Sequence, residues 1–66
     1  MKNILKDLRK EHGYSQEGLA EKLGVSRQTV ISIEKGRYNP SLPLALRMSK
    51  IFNTSVESIF FLEEND

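Results

Sequence analysis

A chain of 66 residues, with ten Lys and Arg, nine Asp and Glu and a net charge of +1, has room for one domain. It has no cysteine and a single histidine, which excludes a disulfide framework, a thiolate metal site and any zinc site built from histidines. The small total excludes an argument from bulk basicity, but residues 1–50 hold all ten bases against five acids, a charge of +5, and residues 51–66 hold four acids and no base. A domain this small buries only roughly 60% of the surface its unfolded chain exposes, so regular helix packing and self-association are expected to stabilise it. Its longest apolar run, Ile59-Phe60-Phe61-Leu62, is too short for a signal-peptide core or a membrane span. A cytoplasmic protein without membrane contact is expected.

The first predicted helix covers about residues 3–12, with Ile4, Leu5 and Leu8 at helical spacing and Gly13 as its stop. Lys10 and His12 fall in its last turn, where positive charge suits the helix dipole. The second opens at the N-cap Ser15, with Tyr14 closing on Leu19 as a hydrophobic staple, and stops at Gly24. Leu19, Ala20 and Leu23 form its inner stripe, while Gly18 costs about 1 kcal/mol relative to Ala for no reason visible in the sequence. The third repeats the pattern: Ser26 caps it, Val25 and Val30 staple it, Val30 and Ile33 face inward, and Gly36 ends it. Residues 37–40 form a polar turn.

Ser41 starts a fourth helix that runs to Phe52, with Pro43 tolerated in its first turn. It is apolar nearly all the way round, which predicts two buried faces: Leu42, Ala45 and Phe52 toward the core, and Leu44, Met48 and Ile51 as a second stripe. Thr54 to Glu57 reads as a capping box for a short fifth helix ending near Phe60.

The segment from Gln16 to Lys35 carries the functional signal. Small or apolar residues at 19, 20, 23, 25, 30 and 33, with Gly24 between the helices, give the inner face of two helices crossing through a short glycine turn. On the outer face of the third helix, Gln28, Ser32 and Lys35 point away from the core, with Ile31 close by and Arg27 and Thr29 on the flanks. The helix's one acid, Glu34, falls on the inner side. Arg27 and Gln28 suit paired hydrogen bonds to guanine and adenine edges in a major groove, and Ile31 suits a thymine methyl. Gln16, at the start of the second helix, offers an amide and backbone N–H groups to a phosphate.

Residues 15–20, 25–30, 33–36 and 38–42 (SQEGLA, VSRQTV, IEKG and YNPSL) resemble the Cro/lambda-repressor-type, or XRE, helix-turn-helix family. The likeness covers about residues 3–60, and it is nearest to the small stand-alone members. The resemblance implies an all-α fold: a compact bundle of five helices spanning 1–66, with the helix-turn-helix at about 15–35 and in some members a short antiparallel pairing of the chain ends. It implies base reading by Arg27 and Gln28, with Ser32 one turn on and Asn39 in the following loop. It implies phosphate contacts by Gln16, Thr29, Lys35, Arg37 and Tyr38, and a structural ion pair between Arg9 and Glu34. Gly18 departs from the pattern, where a better helix former is usual. The implied partner is a double-stranded DNA operator, with no cofactor and no small-molecule ligand.

A single unit of this kind reads few base pairs, and related repressors bind as two-fold dimers on half-sites about one DNA turn (~34 Å) apart. Two apolar groups are left after the expected core is assigned: Leu44, Met48 and Ile51, and Phe60, Phe61 and Leu62. They predict a homodimer built from about residues 44–66, with the acidic tail at that interface or away from DNA. An enzyme is not expected, because no nucleophile is paired with a base. The competing reading is a protein-binding module such as the antitoxin partner of a toxin, which would be expected to carry a wrapping extension. A sequence-blind architectural binder would need a longer basic face.

Overall fold

In the computed structural model, which describes residues 1–65, the chain runs β1 (Lys2–Asn3), α1 (Leu5–Glu11), α2 (Gln16–Leu23), α3 (Arg27–Glu34), α4 (Leu42–Phe52), α5 (Val56–Ile59) and β2 (Phe60–Phe61). One device sets four of the helix starts. The hydroxyls of Ser15, Ser26, Ser41 and Ser55 accept from the backbone N–H groups of Gly18, Thr29, Leu44 and Ser58 at 2.9, 3.1, 3.3 and 3.2 Å. Thr54, expected to begin a capping box, stands outside α5, and its neighbour Ser55 is the cap.

A second device ends α1 to α4. Gly13, Gly24, Gly36 and Asn53 adopt positive φ, and the residue after each donates its N–H five positions back: Tyr14 to Arg9, Val25 to Ala20, Arg37 to Ser32 and Thr54 to Ser49, each at 3.0 Å. At Gly24 this left-handed turn, φ 75°, redirects the chain, and only residues 24–26 separate α2 from α3.

The first helix begins two residues later than the periodicity suggests. Asn3 lies in β1, which pairs antiparallel with β2 in the register Lys2 opposite Phe61 and Asn3 opposite Phe60. Its side chain caps α1 from outside, Oδ1 accepting from the Leu5 N–H at 3.1 Å. The chain ends are therefore paired, and they close the bundle over Leu5 and Ile59, both fully buried.

The core contains the expected inner stripes of α2 and α3 (Leu19, Ala20, Leu23, Val30 and Ile33). The two faces expected of α4 are not both observed. Leu44, Ala45, Met48 and Phe52 all point into one core, and Met48 has no exposed surface. Residues 44, 48 and 52 recur every four positions with 45 beside them, so they share one face of a 3.6-residue helix. Ile51 is half-buried at the margin of this core. Leu42, assigned inward from the sequence, is 69% exposed at the first turn, and Leu46 is exposed with it. Phe60 is also buried, because β2 turns alternate side chains to opposite faces, while Phe61 and Leu62 remain exposed, Leu62 at 83%.

The structure places Gly18 at the third position of α2, where a Cβ would lie 3.0 Å from the capping Ser15 Oγ. Thr29, Leu44 and Ser58 occupy the equivalent position in the other capped helices and all carry a Cβ. A small shift of the serine hydroxyl accommodates it there. Gly18→Ala is therefore expected to stabilise the fold by about 0.5–1 kcal/mol. Urea titration checks this, and a loss of stability would show that the Ser15 cap cannot move.

Candidate nucleic-acid interface

The inner side of α3 is fixed by a network centred on Glu34. Its side chain is 5% exposed, and Oε2 accepts from Arg9 Nε at 2.6 Å, Arg9 itself being 9% exposed. Arg9 Nη1 also donates to the Tyr14 carbonyl at 3.0 Å, and Gln16 Nε2 donates to Glu34 Oε1 at 3.2 Å. One carboxylate thus joins the end of α3 to α1 and to the first residue of α2. Each of these bonds has an ionised partner and little competing water, the setting in which charge-assisted hydrogen bonds are strong.

Carbonyls in the last turn of α3 are engaged as well. Ile33 O accepts from the Gly36 N–H at 2.9 Å and from Asn3 Nδ2 at 2.8 Å. Ser32 O accepts from the N–H groups of Arg37 at 3.0 Å and Tyr38 at 3.3 Å. Asn3 therefore caps the start of α1 with its oxygen and the end of α3 with its nitrogen. A Cβ on Gly36 would stand 3.1 Å from the Met1 carbonyl, so the N-terminal segment packs directly on the turn after α3.

With that side held, the other side of α3 is open. Arg27 and Gln28 are exposed at its N-terminal end, with Thr29, Ile31 and Ser32 partly exposed. Lys35, Arg37, Tyr38 and Asn39 continue the exposed surface into the loop. Gln28 Nε2 donates to Ser32 Oγ at 3.4 Å, and the Thr29 and Ser26 hydroxyls lie 2.9 Å apart. Glu34 is the one acid of α3, and it is turned inward. Arg27 borders an open cleft shared with Arg9, Ser15, Gln16 and Glu17, which places it beside the start of α2. Gln16 sits in the same cleft, half-buried, with its amide directed to Glu34 and not free as the sequence suggested.

Two contributors were missed in the sequence. Asn3 was read as helical, although an Asn just before a helical run is itself a capping signal. Arg47 donates from Nη1 to the Leu23 carbonyl at 3.1 Å and ties the end of α2 to α4 across 24 residues, which no local pattern shows. The tail is also nearer to α3 than the charge map implied. Phe61 and Glu63 border the same depression as Lys35 and Gly36, beside the C-terminal end of α3. Arg27 and Gln28 lie at its other end, roughly 10 Å along the axis. Of the interface residues expected from the sequence, Leu44, Met48 and Phe60 are core, and Phe61 and Leu62 are at the surface.

Among the described residues, no group of three or more His, Asp or Glu side chains is placed to hold a metal ion, and no helix is long and apolar enough to cross a membrane. Residues 5–59 match the helix-turn-helix family model. The chain is 56% identical over its whole length to the full-length HTH-type transcriptional regulator YgzD of Bacillus subtilis. It is 54% identical, again with both chains fully covered, to an HTH-type transcriptional regulator of Methanocaldococcus jannaschii. Among solved structures it resembles the N-terminal DNA-binding domain of SinR from Bacillus subtilis, with a TM-score of 0.75, 36% identity, and 91% of this chain and 88% of that one covered. SinR in complex with DNA gives a TM-score of 0.72 and 40% identity over 82% of this chain and 87% of that chain. These relatives are named as transcriptional regulators, and the SinR structures as a DNA-binding domain and a regulator in complex with DNA. The chain belongs to the XRE-type helix-turn-helix family and is a transcriptional regulator.

Proposed function

We propose that this regulator binds a palindromic double-stranded operator as a homodimer, each subunit setting α3 into the major groove, and that it represses by occupying promoters, its own included. The observation that carries the reading is the two-sidedness of α3. Its single acid is buried against Arg9, while Arg27 and Gln28 stand exposed at the end of the helix that would enter a groove. In this reading Arg27 takes a guanine edge, Gln28 an adenine edge and Ile31 a thymine methyl, with Asn39 completing the base contacts, while Ser32, the further base-reading candidate of the sequence, lies beside Gln28. Gln16, Thr29, Lys35, Arg37 and Tyr38 hold phosphates and set the register. The occurrence of SinR in complex with DNA supports this reading by analogy.

In this reading the dimer surface draws on the exposed Leu42 and Leu62, which border one depression, with Phe61 on the other side of β2 and Leu46 one turn along α4 from Leu42. Phe61 and Leu62 are retained from the sequence reading, Ile51 is partly buried against the core on the other side of α4 from Leu42, and the two leucines of α4 replace Leu44 and Met48. Exposed large apolar side chains on so small a domain favour self-association.

Base readers and phosphate contacts separate experimentally. Gln28→Ala is expected to cost about 1–3 kcal/mol on the preferred operator and to relax preference at one base pair. Lys35→Ala or Arg37→Ala is expected to weaken every sequence alike and to lower the salt slope by about one. Fluorescence anisotropy on matched and mutated operators at several salt concentrations measures both. Equal losses for both kinds of variant on every sequence would refute this assignment of contacts.

A further inference from the structure

Resting on the reading of α3 as a base-reading helix, we infer that Ser32 is a positioning residue that holds the Gln28 amide in one orientation, and that the pair together specifies an adenine. The two residues are one helical turn apart on the exposed side of α3, and Gln28 Nε2 donates to Ser32 Oγ at 3.4 Å. With one N–H of the amide committed to Ser32, the group keeps one outward N–H donor and its Oε1 acceptor. An adenine in the major groove presents N7 as acceptor and N6–H as donor, so the held amide matches it with two hydrogen bonds. A guanine presents two acceptors, O6 and N7, and leaves Oε1 facing an oxygen or a nitrogen lone pair. A freely rotating glutamine can turn its NH2 toward guanine; one held by Ser32 has a spent donor and does so less well.

Ser32 is itself well anchored for such a role. Its carbonyl receives the N–H groups of Arg37 and Tyr38, and its side chain is only partly exposed. Its backbone is thus fixed at the junction between the helix and the basic loop. Gln28, by contrast, is exposed, and its side chain bonds to Ser32 Oγ. A long side chain on a helix surface otherwise samples several rotamers, and losing that freedom on binding opposes recognition. The pairing removes part of that freedom in advance, as preorganisation does in other interfaces.

The test uses the full chain and the operator it selects from random DNA, with competition binding against duplexes carrying each alternative at the base pair that Gln28→Ala relaxes. Ser32→Ala is expected to lower discrimination at that same base pair by about twofold, the size of a helical i,i+4 side-chain hydrogen bond. The double variant with Gln28→Ala is expected to discriminate no worse than Gln28→Ala alone. Ser32→Thr, which retains the hydroxyl, is expected to restore discrimination, and thermal melts of all variants separate these effects from unfolding. Replacing the contacted adenine by 7-deazaadenine, which lacks the N7 acceptor, is expected to weaken wild type and to leave Gln28→Ala unmoved. If Ser32→Ala relaxed a different base pair, or if the two single effects added, Ser32 would be a base reader in its own right and the proposal would be overturned. An unchanged preference in Ser32→Ala, or a preferred guanine at the Gln28 position, would overturn it too. If wild type enriched no sequence at all, the failure would belong to the base-reading assignment on which the inference rests.

Discussion

Glu34→Ala is expected to destabilise the fold by about 3–5 kcal/mol, because it leaves the Arg9 guanidinium charged, desolvated and without its carboxylate. Arg9 is 9% exposed and Glu34 5%, so water cannot replace the lost partner without the helices separating. Domains of this kind have a total stability of about 5–15 kcal/mol, so the variant should melt far below wild type or fail to fold. The double variant Glu34→Leu with Arg9→Met should recover much of the loss, since an apolar pair of similar volume removes both buried charges. Recovery will be incomplete because Tyr14 O and Gln16 Nε2 each lose a partner in the double variant. Chemical denaturation of the three proteins measures these differences. A loss under 1 kcal/mol for Glu34→Ala would class the pair with exposed salt bridges and remove the account of how α3 is oriented.

Met48→Ala and Phe61→Asp should behave in opposite ways. Met48 is fully buried between helices, so its truncation is expected to cost about 2–5 kcal/mol in unfolding free energy. Phe61 is 41% exposed on the outer side of β2, so an aspartate there leaves the core of the subunit intact. Phe61→Asp is expected to abolish self-association in sedimentation, place a further acid beside Glu63, and lower operator affinity by removing the second half-site contact. Should Phe61→Asp leave both the oligomeric state and DNA affinity unchanged, this surface would not be the dimer interface.

The contrast between these two residues shows where the sequence was legible and where it was not. Serine caps and glycine stops are local chemistry, and they placed α2 and α3 to within a residue. The inner stripes of those helices were legible because each has one apolar face and one polar face. Helix α4 has no such contrast. Leu42, Leu44, Leu46 and Met48 are alike in hydropathy, and only the packing of the whole bundle decides that 44 and 48 go inward while 42 and 46 stay out. Phe60 and Phe61 pose the same problem in a strand of two residues, too short to show its alternation. The outward residues of α3 were readable from their angle on the helix, and the exposure of Arg27 and Gln28 agrees with it. The state of Gln16 was not, because its bond to Glu34 joins positions 18 residues apart. Arg47 and Asn3 act over still longer separations, and in each case the partner is a backbone carbonyl, which leaves no trace in side-chain chemistry.

The charge asymmetry of the chain also takes on a shape. The bases of residues 1–50 include the exposed Arg27, Lys35 and Arg37 of α3 and its loop, while the acids of residues 51–66 begin on α5 and follow β2. The near-neutral sum therefore describes a molecule with exposed bases on α3 and its loop and an acidic tail that holds none of the groups proposed to contact DNA.

In the proposed function, the exposed side of α3 reads DNA sequence from two symmetry-related copies. Selection of bound duplexes from a random pool tests it most directly. An enriched palindrome is expected, with half-sites centred about one helical turn apart and an adenine at the position that Gln28→Ala relaxes. Recovery of unenriched DNA, or of a lone half-site with no symmetric partner, would contradict it.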